Sequence, residues 1–259
     1  MFFRNESFKE FIRFYPIVSS IIAINFIIWL LMFFSTTLGG LIYSWGVGLN
    51  IMVEDGQYWR LVTPIFLHDP QGISHILFNS FSLILFGPAL EQMLGKFKFV
   101  FVYLFTGIVG NIFTYFTIDD MTSYLGASGA LYGLLGLLLF MCFFRNDLID
   151  PVSKQIVTTV SIIGIFTTFI QPGINIAAHI FGLIAGLSLG PLILNNVKPY
   201  SPWRNQRRVV RVVRKDGLNY DPNRWDKKKF RVNRNVSSII WWIIFILAVI
   251  GILGGFFSF

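Results

Sequence analysis

Apolar stretches at 17–36, 76–94, 99–117, 128–144, 156–171, 176–195 and 237–257 alternate with polar segments along this chain. About 20 such residues, rising ~1.5 Å each, cross a hydrocarbon core of about 30 Å as a helix. The pattern therefore predicts seven spanning helices, the fifth being the shortest. Ahead of the first, Phe8, Phe11, Ile12 and Tyr15 recur at helical spacing with Arg4, Glu6, Lys9, Glu10 and Arg13 between them. This predicts an interfacial helix within segment 1–16. Mixed polar and aromatic residues precede the first span and no clear small-x-small site follows it, so it reads as a retained helix rather than a signal peptide. The connection 37–73 carries Trp45, Ile51, Met52, Tyr58, Trp59, Leu61 and Phe66 and is too apolar to float in water. It is expected to dip into the interfacial layer, with Trp59-Arg60 as a snorkelling anchor.

Composition agrees with this pattern. The chain has 259 residues, 54% hydrophobic and 13% charged, with a mean hydropathy of +0.65, outside the range of ordinary soluble domains. The formal charge of +8 gains meaning from its placement. A cytoplasmic N-terminus puts Arg4, Lys9, Arg13, Lys96, Lys98, Arg145, Lys154 and every basic residue from Lys198 to Arg234 inside, leaving only Arg60 outside. The charge thus reads as a topology signal, and nucleic acid is not an expected partner. The polar segment 196–236 is a basic cytoplasmic linker to the last span, 237–257. It either meets anionic lipid head groups or stays solvated. Cys142 is alone and reads as a packing residue. The spans contain no CxxC, no HExxH and no Asp pair at ligand spacing, so neither a metal nor another cofactor is expected.

A few polar groups inside the spans are costly at bilayer depth and mark a candidate site. His75 and Asn79 share one face near the outer end of the second span. They can donate to a developing oxyanion or bond another helix. Ser128 opens the fourth span between Gly126 and Gly129, followed by Gly133 and Gly136. A serine in such a setting is commonly a packing residue, but its place at the outer end gives water access to a nucleophile. His179 in the sixth span is followed by Gly182, Gly186 and Gly190. This small-residue stripe, set against Gly129, Gly133 and Gly136, would let the backbones approach until His179 reaches Ser128. No Asp or Glu lies in or beside the sixth span, so a Ser-His dyad is expected rather than a triad. Glu91 is expected to tie helix ends together.

These motifs resemble the rhomboid intramembrane serine proteases: Tyr58-Trp59-Arg60 with Phe66-Leu67-His68, His75 with Asn79, Glu91 with Gly95, Gly107 through Asn111, the Gly-x-Ser-Gly of Gly126 to Gly129, and Ala178-His179 with Gly182 and Gly186. The resemblance covers residues 17–195. It implies an all-α polytopic membrane protein, a six-helix bundle with an additional C-terminal transmembrane helix outside it. It further implies Ser128 as nucleophile and His179 as base, with His75, Asn79 and the Ser128 backbone N–H as the oxyanion hole. Tyr132 is implied to pack on the His179 ring, and Gly126 and Gly129 to line the site. The implied substrates are transmembrane segments of other proteins, cut near the outer face of the membrane; the modest size and the lack of a transit-peptide pattern fit a bacterial plasma membrane. A catalytically dead relative and a transporter are the rival readings. The joint presence of Ser128, His179, His75 and Asn79 opposes the first, and the lack of paired broken helices opposes the second. Oligomeric state is not written in the sequence.

Overall fold

The computed structural model describes residues 1–202 apart from residue 3, so most of the basic linker and the last span lie outside the described residues. The chain begins with a short helix, α1 (Phe8–Phe14), closed by a capping box in which the Ser7 N–H donates to Glu10 Oε2 at 2.9 Å. α2 (Pro16–Phe34) starts on a proline, which suits the first helical turn. Its free N–H groups at Ile17 and Val18 donate to the carboxylate of Glu91 at 3.0 and 2.9 Å. The expectation for Glu91 is met: it caps one helix from another.

The 37–73 connection is built from α3 (Thr36–Gly46), a two-residue strand β1 (Gly48–Leu49), α4 (Asn50–Glu54) and 3-10 turns at Tyr58–Leu61 and Thr63–Phe66. Its anchor differs from the expected one. Arg60 is 4% exposed and donates to Gln57 Oε1 at 2.8 Å and to the Val47 and Ser44 carbonyls at 2.6 Å each. Rather than snorkelling to head groups, the guanidinium ties the loop together from within, because three unpaired acceptors of the loop converge on it.

α5 (Ile73–Leu94), α6 (Lys96–Tyr115), α7 (Ser128–Phe144), α8 (Pro151–Ile170) and α9 (Ile176–Ile193) follow, with β2 (Ser123–Tyr124) before α7. α8 begins earlier than its apolar run suggests. Asp150 caps it, accepting from the Ser153 N–H at 2.9 Å with Pro151 in the first turn. The span that reads as shortest thereby becomes a 20-residue helix. α7 matches its sequence bounds and forms the centre: Leu134, Leu137, Leu138 and Met141 are fully buried, together with Leu83 and Leu90 of α5 and Phe99, Val102 and Tyr103 of α6.

Among the described residues, five helices, α2, α5, α6, α8 and α9, are long and apolar enough to cross a membrane. α7 is apolar and 17 residues long. The outer helices leave Ile24, Ile27, Phe33 and Phe34 of α2 and Ile162, Ile163, Phe166 and Phe169 of α8 exposed. Apolar faces of this extent belong in lipid rather than water, and the protein is a multi-pass membrane protein.

Candidate active site

α7 and α9 are in backbone contact. A Cβ added at Gly182 would strike the Gly129 carbonyl oxygen, and one at Gly186 the Gly133 carbonyl oxygen. Gly136 stands against the Leu183 carbonyl, while Gly190 meets the Phe140 ring instead of another glycine. The two glycine stripes therefore face each other over Gly129 to Gly136, as their spacing suggests, and part at Gly190. Asn175 fixes the start of α9 by accepting from the Ala178 N–H at 2.9 Å and from the Thr114 hydroxyl of α6 at 3.0 Å.

This approach delivers His179 to the face of α7 that carries Ser128. The Tyr132 ring, one turn after Ser128 on that face, stacks on the His179 ring at 4.0 Å between centroids and 17° between planes. His179 is 7% exposed. Its Nδ1 lies 2.9 Å from Thr168 Oγ1 of α8. Thr168 Oγ1 in turn donates to the Gly164 carbonyl at 2.8 Å, and the Tyr132 hydroxyl donates to the same carbonyl at 2.6 Å. With Nδ1 engaged on one side, the free edge of the ring is Nε2. No hydrogen bond joins Ser128 to His179 in this structure.

Gly126 seats the opposite wall. Its φ of +129° lies in a region that residues with side chains rarely adopt and glycine enters freely. A Cβ there would stand 2.7 Å from His75 Nε2 and 3.9 Å from Ser128 Oγ. Thus the imidazole of α5 and the hydroxyl of α7 flank the same backbone atom. Asn79 is 6% exposed and one of its amide N–H groups donates to the His75 carbonyl at 2.9 Å. The amide keeps a second N–H. Ser128 is the first residue of α7, so its own N–H has no partner within the helix and sits at the positive end of the helix dipole.

Two features here leave no periodic trace in the sequence. The first is the join between the 37–73 loop and the segment before α7: β1 pairs antiparallel with β2, Gly48 opposite Tyr124, and the Gly126 N–H donates to the Pro64 carbonyl at 2.9 Å. The segment leading into Ser128 is thereby pinned to the 37–73 loop. The second is Thr168, whose only sequence signal is a hydroxyl pair, Thr167-Thr168, inside a span. Near the site, His68 is fully buried with its ring 5.0 Å from that of His75. Burial, with His75 adding to it, pushes His68 down to about 3, so this ring is neutral. Among the described residues no cluster of His, Cys, Asp and Glu could hold a metal ion.

Residues 55–196 match the model of the Rhomboid domain family. The chain is 45% identical over 192 residues to a Bacillus subtilis protein named "Putative rhomboid protease YdcA", covering 73% of this chain and 94% of that one. It is 34% identical to "Rhomboid protease GluP" of the same organism over 61% of this chain and 31% of that protein. It is 27% identical to "Rhomboid-type serine protease 2" of Emericella nidulans, over 82% of this chain and 45% of that protein.

Proposed function

The chain belongs to the rhomboid family and is a serine-type intramembrane endopeptidase, and on that premise we propose that Ser128 and His179 form its catalytic dyad and cleave transmembrane protein substrates near the outer membrane face. The observation that carries this reading is the stacked Tyr132–His179 pair, which fixes the imidazole against α7 one turn from Ser128. Ser128 Oγ attacks the scissile carbonyl while His179 Nε2 takes its proton. The tetrahedral oxyanion is met by the Ser128 N–H, by His75 Nε2–H and by the second amide N–H of Asn79. Such donors are commonly worth about 2.7–4 kcal/mol of transition-state stabilisation each. His179 then protonates the leaving amine, and water hydrolyses the Ser128 ester by the same proton relay in reverse.

A substrate helix hides its carbonyls in internal hydrogen bonds and must unwind before attack. Segments with Gly or Pro near the cut have the lowest unwinding cost, at about 1 and 3 kcal/mol of lost helix preference respectively. The positive-inside distribution supports a cytoplasmic N-terminus and a cell-membrane location, with Ser128 toward the outer side and lipids as the surrounding partner. In the same reading residues 17–195 form the six-helix protease core, with 196–236 a cytoplasmic linker to an additional helix at 237–257.

The test is cleavage of single-span substrates by protein reconstituted in liposomes. The wild type is expected to cut on the side of the bilayer that holds the outer loops, and Ser128→Ala and His179→Ala to be inactive yet folded. Cleavage by folded Ser128→Ala overturns the assignment.

A further inference from the structure

A Ser-His pair needs its imidazole in one tautomer. To accept the serine proton at Nε2, His179 must carry its resting proton on Nδ1, and that N–H must find an acceptor, since it is buried. The familiar device is a buried carboxylate, whose replacement by an amide in a serine protease reverses the tautomer and costs about 10⁴ in kcat. No Asp or Glu occupies the α8 or α9 segments beside His179.

Thr168 stands in that place. It is 1% exposed and its Oγ1 is 2.9 Å from His179 Nδ1. A hydroxyl is both donor and acceptor, so it fixes the tautomer only if its own proton is committed elsewhere. The Gly164 carbonyl, one helical turn back, takes that proton at 2.8 Å, the ordinary bond of a threonine within a helix. The Tyr132 hydroxyl lies 2.9 Å from Thr168 Oγ1, where either oxygen could donate, and 2.6 Å from the Gly164 carbonyl; with its proton on the shorter contact, it does not donate to Thr168. The Gly164 oxygen also accepts from the Thr167 hydroxyl at 3.0 Å, and with the Thr168 proton turned toward that carbonyl, Thr168 Oγ1 presents a lone pair to His179.

From this we infer that Thr168 is the positioning residue of the active site, a neutral third member that holds His179 as the Nδ1–H tautomer and aims Nε2 at Ser128. It acts through His179 and touches no substrate. The inference rests on the Ser128–His179 reading. It also assigns a second role to Tyr132: its ring orients the imidazole by stacking, while its hydroxyl bonds the Gly164 carbonyl beside Thr168.

Two substitutions separate hydrogen bonding from packing. Thr168→Val keeps the shape and removes the hydroxyl, whereas Thr168→Ser keeps the hydroxyl and removes the methyl. Thr168→Val is expected to lower kcat about 10- to 100-fold, the range for losing one bond from a buried polar group, with KM unchanged. Thr168→Ser is expected to stay within about threefold of wild type, a methyl's worth of packing. In ¹⁵N-histidine-labelled protein, with His179 assigned by difference against His179→Gln, Nδ1 is expected to be protonated in the wild type and to lose that preference in Thr168→Val. Wild-type kcat in Thr168→Val, or equal impairment of Thr168→Ser and Thr168→Val, overturns the inference, as does an unprotonated Nδ1 in the wild type. Ser128→Ala run in parallel distinguishes the two levels. If it is inactive and Thr168→Val is fully active, only the role of Thr168 fails; if it is active, the dyad itself fails.

Discussion

Substituting Gly182 by alanine probes the contact on which the site depends. Gly182 lies one turn after His179, and an added Cβ would stand 3.0 Å from the Gly129 carbonyl carbon and 3.3 Å from its Cα, with the carbonyl oxygen nearer still. Comfortable separations between such atoms are about 3.5–4.0 Å. The obstacle is backbone on both sides, so no side chain can rotate away, and α9 must move off α7 by about 0.5–1 Å to restore contact distances. Overpacking of this kind costs about 1–3 kcal/mol of stability. The larger effect is on chemistry, since His179 moves with its helix, and a misplacement of about 1 Å can lower a rate about 100-fold. The assay is kcat on a single-span substrate in liposomes, with thermal melting in parallel. The matched control is Gly40→Ala in α3, where a Cβ meets nothing within 4 Å and activity should be unchanged. Gly182→Ala with wild-type kcat would refute the claim that close backbone approach delivers His179 to Ser128.

Gly126→Ala forces a side chain onto a φ of +129° and into His75, 2.7 Å away; strain of about 1–3 kcal/mol and a fall in kcat of about 100- to 1000-fold are expected in the same cleavage assay. Arg60→Ala removes three hydrogen bonds inside the 37–73 loop and is expected to cost about 2–4 kcal/mol, read as a lower melting temperature and faster proteolysis of that loop. Burial alone would raise the Asp150 carboxyl, but hydrogen bonds from the Met1 ammonium and Ser153 outweigh it and hold the group at about 2. A depressed carboxyl contributes stability that is complete above the unfolded value of about 4. That contribution is lost as pH falls toward 2, so the melting temperature should drop across this window. The drop should be shallower in Asp150→Asn, which keeps a capping side chain.

The sequence shows most clearly what the lipid and the helix period dictate. α7 is legible to the residue because its apolar run and its glycines begin together at Ser128. The glycine stripes of α7 and α9 are legible because close helix contact in a membrane demands small residues at fixed spacing. What is hidden depends on bonds between remote segments. Arg60 reads as a head-group anchor, since nothing local shows that Val47 and Ser44 offer it their carbonyls. The early start of α8 is missed because a polar cap, Asp150, extends the helix beyond its apolar run. Thr168 is invisible as a partner of His179 because a threonine in a membrane helix ordinarily bonds only its own backbone, and here it does that as well. The Ser128–His179 dyad expected from the absence of a carboxylate thus leaves out the hydrogen bond that His179 makes to Thr168 of α8.

The central claim is that Ser128 is a nucleophile activated by His179, and covalent labelling tests it without the need to know a substrate. Wild-type protein treated with a fluorophosphonate and mapped by peptide mass spectrometry should carry one adduct, on Ser128, and His179→Ala should label far more slowly. An unlabelled Ser128 in active protein, or an adduct on a different serine that survives Ser128→Ala, would contradict it.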